Sequence, residues 1–430
     1  MLREACTVAV VASWPHRDAV ATTRAFRIVV AASAMTPLVL VAAVFVSAEL
    51  RGRRLAESLV DEAVTQAGWA LSREGEPGSV AECLGRALDT APDVSRDAPW
   101  MSVDLFDIRD GKRPLESLPA TALASLTIND PWLRETVACT RRSTLEAITG
   151  LGPLADPLHR RRQALPRLQE AVAALAPLRV RLLSSHGQHD EALGLCAATF
   201  SLVSDLLWLE GPEASLGALG MAGNLVRPCV DASLATPDAA SVARFDTALA
   251  AVEARVPPYA HVMRLERVAQ ELRLFGAFFT PAQVSRLPPG ARSMVTTSAS
   301  LARAPWERVG LSHWWKACDR GFEGIIAAAD LPEPRRTRDV LAAQRHFASP
   351  WLRLVAVNPL DVRYEMYAES HEVLPMSLAL VRAAVSARDG TPTSTPLITV
   401  TVRQDEVEVA PRQPEWRRAG YVVARKSRAP

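Results

Sequence analysis

The hydrophobic and polar positions of the chain follow a helical period over most of its length, with one exception near the N-terminus. Residues 28–48 read IVVAASAMTPLVLVAAVFVSA and contain no charged residue. A helix over this segment would be about 31 Å long, close to the thickness of the hydrocarbon layer of a bilayer. A buried core helix of that length normally carries a polar stripe, which this segment lacks. The pattern predicts a short tail at 1–27 and a single N-terminal transmembrane helix at 28–48 that contacts the lipid bilayer.

The charges beside this segment leave its orientation open. Three arginines lie on each side of it: Arg17, Arg24 and Arg27 before, and Arg51, Arg53 and Arg54 after. Since lysine and arginine set the orientation of a membrane helix, the two sides balance. We expect the commoner signal-anchor arrangement, in which most of the chain lies outside the cytoplasm, in the periplasm or another extracytoplasmic space. The alternative is a cleaved signal peptide, because small residues end the segment at Val46-Ser47-Ala48.

Residues 49–130 predict a stalk helix followed by an irregular linker region. Leu55, Leu59 and Ala63 recur at four-residue spacing, so the membrane helix is expected to continue outward to about Arg73. Glycine and proline then break the pattern. Ser79, followed three residues later by a glutamate, predicts the start of a new helix.

Residues 131–388 predict an irregular array of antiparallel helical hairpins. Helix starts are indicated at Asp130-Pro131, Ser143–Glu146, Thr236-Pro237 and Thr280-Pro281. The period changes only in residues 389–430, where β-branched residues alternate with polar ones. The chain is therefore expected to be mainly α, with a small C-terminal β hairpin or three-stranded tail.

Composition excludes some classes of function and leaves others open. Hydrophobic residues make up 49% and charged residues 22% of the chain, as in an ordinary folded protein, and the net charge is only +2. We therefore expect no nucleic-acid partner. The six cysteines never form a C-x-x-C pair. We expect buried core thiols, with one or two disulfides as the alternative in an exported domain.

Residues 168–207 contain two amphipathic helices that flank a break at Gly187, with Ala192 five positions later. This segment resembles one tetratricopeptide-like helical hairpin, in which a glycine ends the first helix and a small residue lets the helices cross closely. More broadly, the order of anchor, helical body, later charged helix (263–267) and β tail resembles uncharacterised bacterial single-pass membrane-anchored helical proteins. The resemblance implies an architecture and no activity.

Two short segments contain groups that could bind a metal or act in catalysis. His186, His189 and Asp190 lie around the helix break, where an ordinary turn is the favoured interpretation, with a metal site or a partner contact as alternatives. The second segment runs from Ser312 to Asp319 and is described next. No cofactor is expected, because the chain contains no nucleotide-binding, zincin or hydrolase motif.

The Ser312–Asp319 segment brings aromatic, imidazole and thiol groups together. His313, Trp314 and Trp315 are followed by Cys318. Core packing of the tryptophans is the favoured interpretation. A ligand or partner surface is the first alternative, and a cysteine–histidine nucleophile pair of a hydrolase is the second.

A charged stretch of a later helix contains Arg264, Glu266, Arg267 and Glu271. Arg267 and Glu271 have the i,i+4 spacing of a surface ion pair, so a solvated face is expected. The alternative is a charged groove floor inside the helical body.

These patterns favour a membrane-anchored envelope protein whose helical domain acts as a protein-binding or scaffold module. Grooves between stacked helical hairpins accept extended or helical segments of partner proteins. The alternative function is an envelope hydrolase with a site near residues 312–319.

Overall fold

A computed structural model describes the chain over residues 19–65, 70–92, 107–109, 111–146, 157–209, 212–287, 291–292, 295, 305–332, 334–347, 364–388, 394–403, 406–412 and 421–424. These ranges are mainly helical, as the sequence predicts. The segments around residues 28–48 and 131–388 are largely included, whereas most of the N-terminal tail at 1–27 lies outside the described residues.

Within the described residues the chain forms thirteen α-helices and six strands. The helices are α1 Ala19–Thr65, α2 Val80–Asp89, α3 Ala120–Ala138, α4 Pro157–Ser185, α5 His189–Leu209, α6 Pro212–Ala235, α7 Ala239–Glu253, α8 Tyr259–Phe275, α9 Pro281–Arg286, α10 Pro305–Ala328, α11 Arg335–Gln344, α12 Tyr364–His371 and α13 Val373–Arg388. The strands are β1 Ala70–Ser72, β2 Glu76–Ser79, β3 Arg142–Glu146, β4 Ile398–Val402, β5 Glu406–Pro411 and β6 Tyr421–Ala424.

Helix α1 is one continuous helix of 47 residues with two different surfaces. Its large side chains are exposed over the predicted anchor, where Leu38 is 64% exposed and Val46 is 58% exposed. Beyond Ala48 its apolar side is buried, and Leu59 is 2% exposed. The segment expected to be a stalk helix up to about Arg73 is therefore a core helix that ends at Thr65, because its four-residue apolar spacing faces other helices, and residues 70–72 form β1 instead.

Two helices in the described part of the chain are long and apolar enough to cross a membrane. In the first, Ala31–Ala63, only 6% of the most apolar window is buried. In the second, His189–Trp208, 67% of that window is buried, so α5 has the surroundings of a core helix. The first segment contains residues 31–48 of the predicted anchor.

The buried side chains form two hydrophobic cores. The α1 core contains the second part of α1 together with α8, α10, α11 and α12. The hairpin core contains α2 to α7 and α13, and the buried residues of β4 and β5 join it. Helices α6 and α12 contact each other, so the two cores are adjacent.

The hairpin of α4 and α5 confirms the predicted turn at Gly187. This residue has a φ of 74°, a left-handed conformation that glycine adopts without a steric cost. The Gln188 amide donates to the Leu183 carbonyl, which closes the end of α4 as in a Schellman motif. Ala192 is fully buried, as expected for a small residue at a close helix contact.

Four cysteines form two disulfides. Cys83 and Cys139 join α2 to the end of α3, and Cys196 and Cys229 join α5 to α6. The expectation of core thiols is therefore wrong for these four and correct for Cys318, which is buried and free. Apolar surroundings in the sequence are common to both states, since disulfides and buried thiols occupy the same kind of environment.

The C-terminal sheet confirms the predicted β tail. Strands β4, β5 and β6 form an antiparallel sheet in that order, with Val400 opposite Val409 and Val407 opposite Val423. Val407 and Val409 are fully buried in the hairpin core, which explains the alternation in this segment.

A second sheet, in the order β1-β3-β2, is not predicted by the sequence. The helix start expected at Ser143–Glu146 is wrong, because these residues belong to β3. The cause is long-range strand pairing, in which β3 pairs antiparallel with β1 and Leu71 lies opposite Leu145. The Arg73 guanidinium donates two hydrogen bonds to the Asp205 carboxylate, at 2.6 and 2.8 Å, and another to the Arg142 carbonyl, at 2.9 Å. This arginine ties the sheet to α5.

The other predicted helix starts have mixed outcomes. Ser79 caps α2, and Thr280 forms a capping box with Gln283 at the start of α9. Pro131 does not begin a helix, because α3 starts at Ala120 and continues through it. Near Thr236-Pro237 the cap of α7 is instead Asp238, whose carboxylate accepts hydrogen bonds from two backbone amides.

Replacing Cys196 and Cys229 together by alanine is expected to lower the free energy of unfolding by about 3–4 kcal/mol. The bridge spans a sequence separation of 33 residues, and opening it frees the unfolded chain. The measurement is denaturant unfolding of the detergent-solubilised chain, followed by circular dichroism.

The control is Cys318→Ala, which removes a buried thiol outside any bridge. Reductant should destabilise this variant as much as it destabilises the wild type, and it should destabilise the double variant less. A double variant as stable as the wild type under oxidising conditions would contradict the expected role of the bridge.

Candidate functional site

Among the described residues, a group of buried charges lies where α1 packs against α8 and α10. We call this interface the α1 seam; it consists of residues 49–63 of α1 with α8 and α10. Helix α10 runs parallel to α1, since Arg308 contacts Glu49 near one end and Asp319 lies close to the partner of Glu62 near the other.

Helix α8 runs antiparallel to α1 in the same seam. Arg267 contacts Glu62, whereas Phe278, just after α8, packs against Gly52. A Cβ atom added at Gly52 would overlap the Phe278 ring, so only glycine allows this approach. This contact fixes the position of α1 along its axis relative to α8.

Arg267 is the central charge of the seam. Its guanidinium contacts the Glu62 carboxylate of α1 and lies 3.8 Å from the Asp319 carboxylate of α10. The side chains of all three are largely buried, with exposed fractions of 19%, 27% and 27%. One guanidinium thus links three helices that are far apart in the sequence.

Glu271 lies one turn after Arg267 on α8 and is 1% exposed. Burial raises the pKa of its carboxyl to about 8; Arg267 lowers the pKa, and the nearby Asp319 and Glu62 raise it. At neutral pH the side chain is therefore mostly protonated. Its Oε1 atom is buried without a hydrogen-bond partner among the described residues.

Two neighbouring groups on α10, the Asp319 carboxyl and the Cys318 thiol, also have raised pKa values. Burial raises the pKa of Asp319, while Arg267 lowers it. Burial also raises the pKa of the Cys318 thiol well above its ordinary value, and the charge of Glu271 adds to this. A thiol held in its neutral form is a poor nucleophile.

The charged face expected on this helix is therefore mostly not solvated. Glu266 is 5% exposed and accepts a hydrogen bond from Gln270 at 2.6 Å. Arg264 is exposed, as expected, but Arg267 and Glu271 point into the seam. The expectation of a surface ion pair is wrong for these residues. The alternative, a charged groove floor inside the helical body, stays a prediction, since these residues lie in a packed helix interface.

The residues of the Ser312–Asp319 segment separate onto two sides of α10. Trp314 and Cys318 are fully buried, and the Trp314 indole donates to the Phe347 carbonyl at 3.3 Å. Trp315 is half-buried. His313 is exposed, with Nδ1 3.3 Å from Nη1 of Arg51.

The structure consequently does not bring the imidazole and the thiol of this segment together. Core packing of Trp314, the favoured interpretation, is confirmed by its burial. His313 instead belongs to the outer edge of the α1 seam, where it contacts the arginine that follows the apolar part of α1. This arrangement lacks the contact of a cysteine–histidine nucleophile pair between Cys318 and His313.

The two histidines at the α4–α5 turn lie far from the seam in the fold. His186 is exposed and His189 is half-buried at the start of α5. In the part of the chain that the structure describes, no group of three histidine, cysteine or carboxylate side chains could hold a metal ion. Asp190 pairs loosely with Arg244 at 3.6 Å.

Sequence reasoning missed Glu62 and Asp319 as members of the seam. Glu62 stands beside Ala63 on a helix whose neighbouring positions 55, 59 and 60 are buried. A carboxylate at the edge of an apolar stripe is the only local signal for it. Asp319 directly follows Cys318, a candidate residue of the Ser312–Asp319 segment. No local pattern indicates that Arg267 is its partner.

Ion pairs on the outer surface hold the short helix α9 against α1. Arg286 contacts Glu57 at 2.5 Å and Asp61 at 2.6 Å, and Gln283 donates to Glu57 at 2.7 Å. These groups are exposed, so each contributes less than the buried seam. Together they cover the flank of α1 that faces away from α10.

Comparisons of the chain with protein-family models, with curated proteins and with solved structures found no match. The resemblance to bacterial single-pass proteins therefore gains no support from them.

We expect the contribution of Glu271 to the stability of the α1 core to fall as the pH rises from 4.5 to 8. The folded chain keeps a proton on Glu271 up to about pH 8, whereas the unfolded chain loses it near 4.5. The folded state binds more protons in this window, so deprotonation favours unfolding. Glu271→Gln should reduce the loss of stability across the window by roughly 3–5 kcal/mol. Denaturant unfolding at several pH values measures it.

The matched control is Glu170→Gln, which neutralises an exposed carboxylate on α4. Its pH profile should coincide with that of the wild type. Equal slopes for the wild type and Glu271→Gln would show that the carboxyl of Glu271 does not titrate in this window.

Proposed function

We propose that the protein is a single-pass, membrane-anchored helical scaffold whose domain lies outside the cytoplasm and presents helical surfaces to a protein partner. The observation that carries this proposal is α1, which joins an exposed apolar surface to a core helix without a break.

The exposed part of α1 supports the anchoring role. Its large apolar side chains are 48–64% exposed: Val29, Met35, Leu38, Val39, Leu40, Val41, Val44, Val46 and Leu50. Transfer of each such side chain from water to an apolar environment is favourable by roughly 1.5–3 kcal/mol when burial is complete. A lipid bilayer provides that environment for a helix of this length.

The disulfides support the extracytoplasmic orientation. Bridges persist in oxidising compartments and are rare where thiols are kept reduced. Both bridges join elements of the hairpin core, which follows α1 in the chain. The charges beside the anchor balance, so this is the stronger argument for the orientation.

The α1 seam supports a scaffold role. A helix that belongs both to the membrane segment and to the core fixes the distance of the domain from the bilayer and its rotation about the helix axis. A flexible tether would fix neither. Arg267 and the close contact at Gly52 oppose rotation or sliding of α1 within its seam.

A surface of α3 supports a protein partner. Five exposed residues form an uncharged strip along its outer side: Leu123, Ala124, Thr127, Ile128 and Pro131. Ile128 is 75% exposed and Leu123 is 41% exposed. Contiguous apolar strips of this kind are typical of interaction sites, whereas isolated exposed residues are ordinary. Helix α3 packs on the α4–α5 hairpin, so a bound segment would also reach that hairpin.

The orientation is tested with a reporter joined to the C-terminus of the full chain. Alkaline phosphatase placed after Pro430 should be active in a bacterial host, and a fluorescent protein there should not be. The product should remain in the membrane fraction after an alkaline wash.

Two results would contradict this part of the proposal. An inactive phosphatase with a fluorescent counterpart would reverse the topology. A soluble product shortened by the first 48 or so residues would mean that the segment is a cleaved signal peptide.

The partner is tested by photo-crosslinking in the native membrane, with the photoreactive residue at Thr127. We expect one recurring envelope protein in the product, because the probe lies in the middle of the uncharged strip. Leu123→Asp with Ile128→Asp should abolish the product without unfolding the domain, since both positions are exposed.

The matched control replaces the exposed Glu170 of α4 by arginine and should leave the product unchanged. Capture that survives the aspartate variant would mean that the strip does not form the interface. A purified domain that turns over a substrate would favour an enzyme over a scaffold.

A further inference from the structure

The end of α10 that lies beside the apolar part of α1 forms a distinct edge of the domain. Arg308 contacts Glu49 at 2.8 Å, so the first turn of α10 lies level with the residue that follows the uncharged segment. His313, more than one turn later, lies level with Arg51. The start of α10 therefore faces the plane in which the apolar surface of α1 ends.

Trp306 lies at this edge and is 62% exposed. It precedes Arg308 by two residues, which moves it by about 3 Å along the helix toward the apolar part of α1. By contrast, Trp314 on the same helix faces the interior and is fully buried. Tryptophan is enriched where a protein crosses the surface of a bilayer, because its ring suits the boundary between headgroups and acyl chains.

Arginines of α1 and α10 lie at a similar level along the helix axes. Arg51, Arg53 and Arg54 are exposed in the turn of α1 after the apolar segment, and Arg308 is 37% exposed. Glu49 is the carboxylate that pairs with Arg53 and Arg308. Four guanidinium groups against two carboxylates, Glu49 and Glu307 of the first turn of α10, leave the edge with a net positive charge, which is attracted to the phosphates of lipid headgroups.

We propose that Trp306, Arg51, Arg53, Arg54 and Arg308 form a membrane-contacting rim that rests on the bilayer surface. The Trp306 ring would lie among the headgroups, and the guanidinium groups would bind lipid phosphates. The proposal rests on the anchoring of α1 proposed above and adds a second point of contact. A domain held at the anchor and at the rim cannot tilt freely over the membrane.

The rim is tested by tryptophan fluorescence of the full chain in vesicles of phosphatidylethanolamine and phosphatidylglycerol with brominated acyl chains. The difference in emission between the wild type and Trp306→Phe isolates the contribution of this ring from those of the other tryptophans. Bromine quenches rings that lie at the bilayer boundary, so this difference should fall roughly twofold relative to unbrominated vesicles.

A matched control carries Trp306→Phe together with Ile128→Trp, which moves an exposed tryptophan to α3. Its difference from Trp306→Phe should not be quenched, because α3 belongs to the hairpin core. Quenching of the Trp306 contribution with no quenching of the control supports the rim. An unquenched Trp306 contribution, or equal quenching at both positions, overturns it.

Failure of the rim and failure of the anchor are distinguished in the same vesicles. Resistance of the chain to an alkaline wash reports insertion of α1. A chain that resists the wash while Trp306 stays unquenched is anchored without a rim, and a chain that the wash removes contradicts the anchor itself.

Discussion

The packing of α1 against α8 and α10 is the contact on which the α1 core depends. Leu55, Leu59 and Ala63 supply the apolar surface of α1, and Gly52 allows the backbone to approach the Phe278 ring. Without α1, the apolar sides of α8 and α10 would face water. Residues next to the predicted anchor are thus as much a part of the folded domain as those far from it.

The buried charges of the seam add specificity to this apolar contact. Arg267 neutralises carboxylates from α1 and α10, and the raised pKa of Glu271 keeps a further negative charge out of the interior. An apolar stripe alone would tolerate a shift by one helical turn. The pairing of Arg267 with Glu62 opposes such a shift, because it would move the Glu62 carboxylate away from the guanidinium that it contacts.

The sequence predicts what local periodicity controls: the apolar helix, the helical class, the turn at Gly187 and the β tail. It fails where distant residues decide. Arg267 and Glu271 have the spacing of a surface pair, but Arg267 contacts Glu62, 205 positions away. Likewise, the helix start predicted at Ser143–Glu146 is wrong because these residues pair with β1, in which Ala70 lies opposite Glu146. A local stretch of sequence around one residue of such a pair does not contain the other residue.

The sequence separation between contacting residues also indicates the order in which the two cores can form. The disulfides of the hairpin core join residues 56 and 33 positions apart, so its α2–α6 part is built from contacts within one part of the chain, and α13 with the β tail joins it from the C-terminal end. The α1 core instead needs α1 and a helix that begins at Pro305. Closing so long a loop has a higher entropic cost, and N-terminal segments are synthesised first. The buried side of α1 can therefore pack only after α8 and α10 have been synthesised. Under the anchoring proposed above, insertion of the apolar part of α1 in the bilayer would hold the helix in place until then.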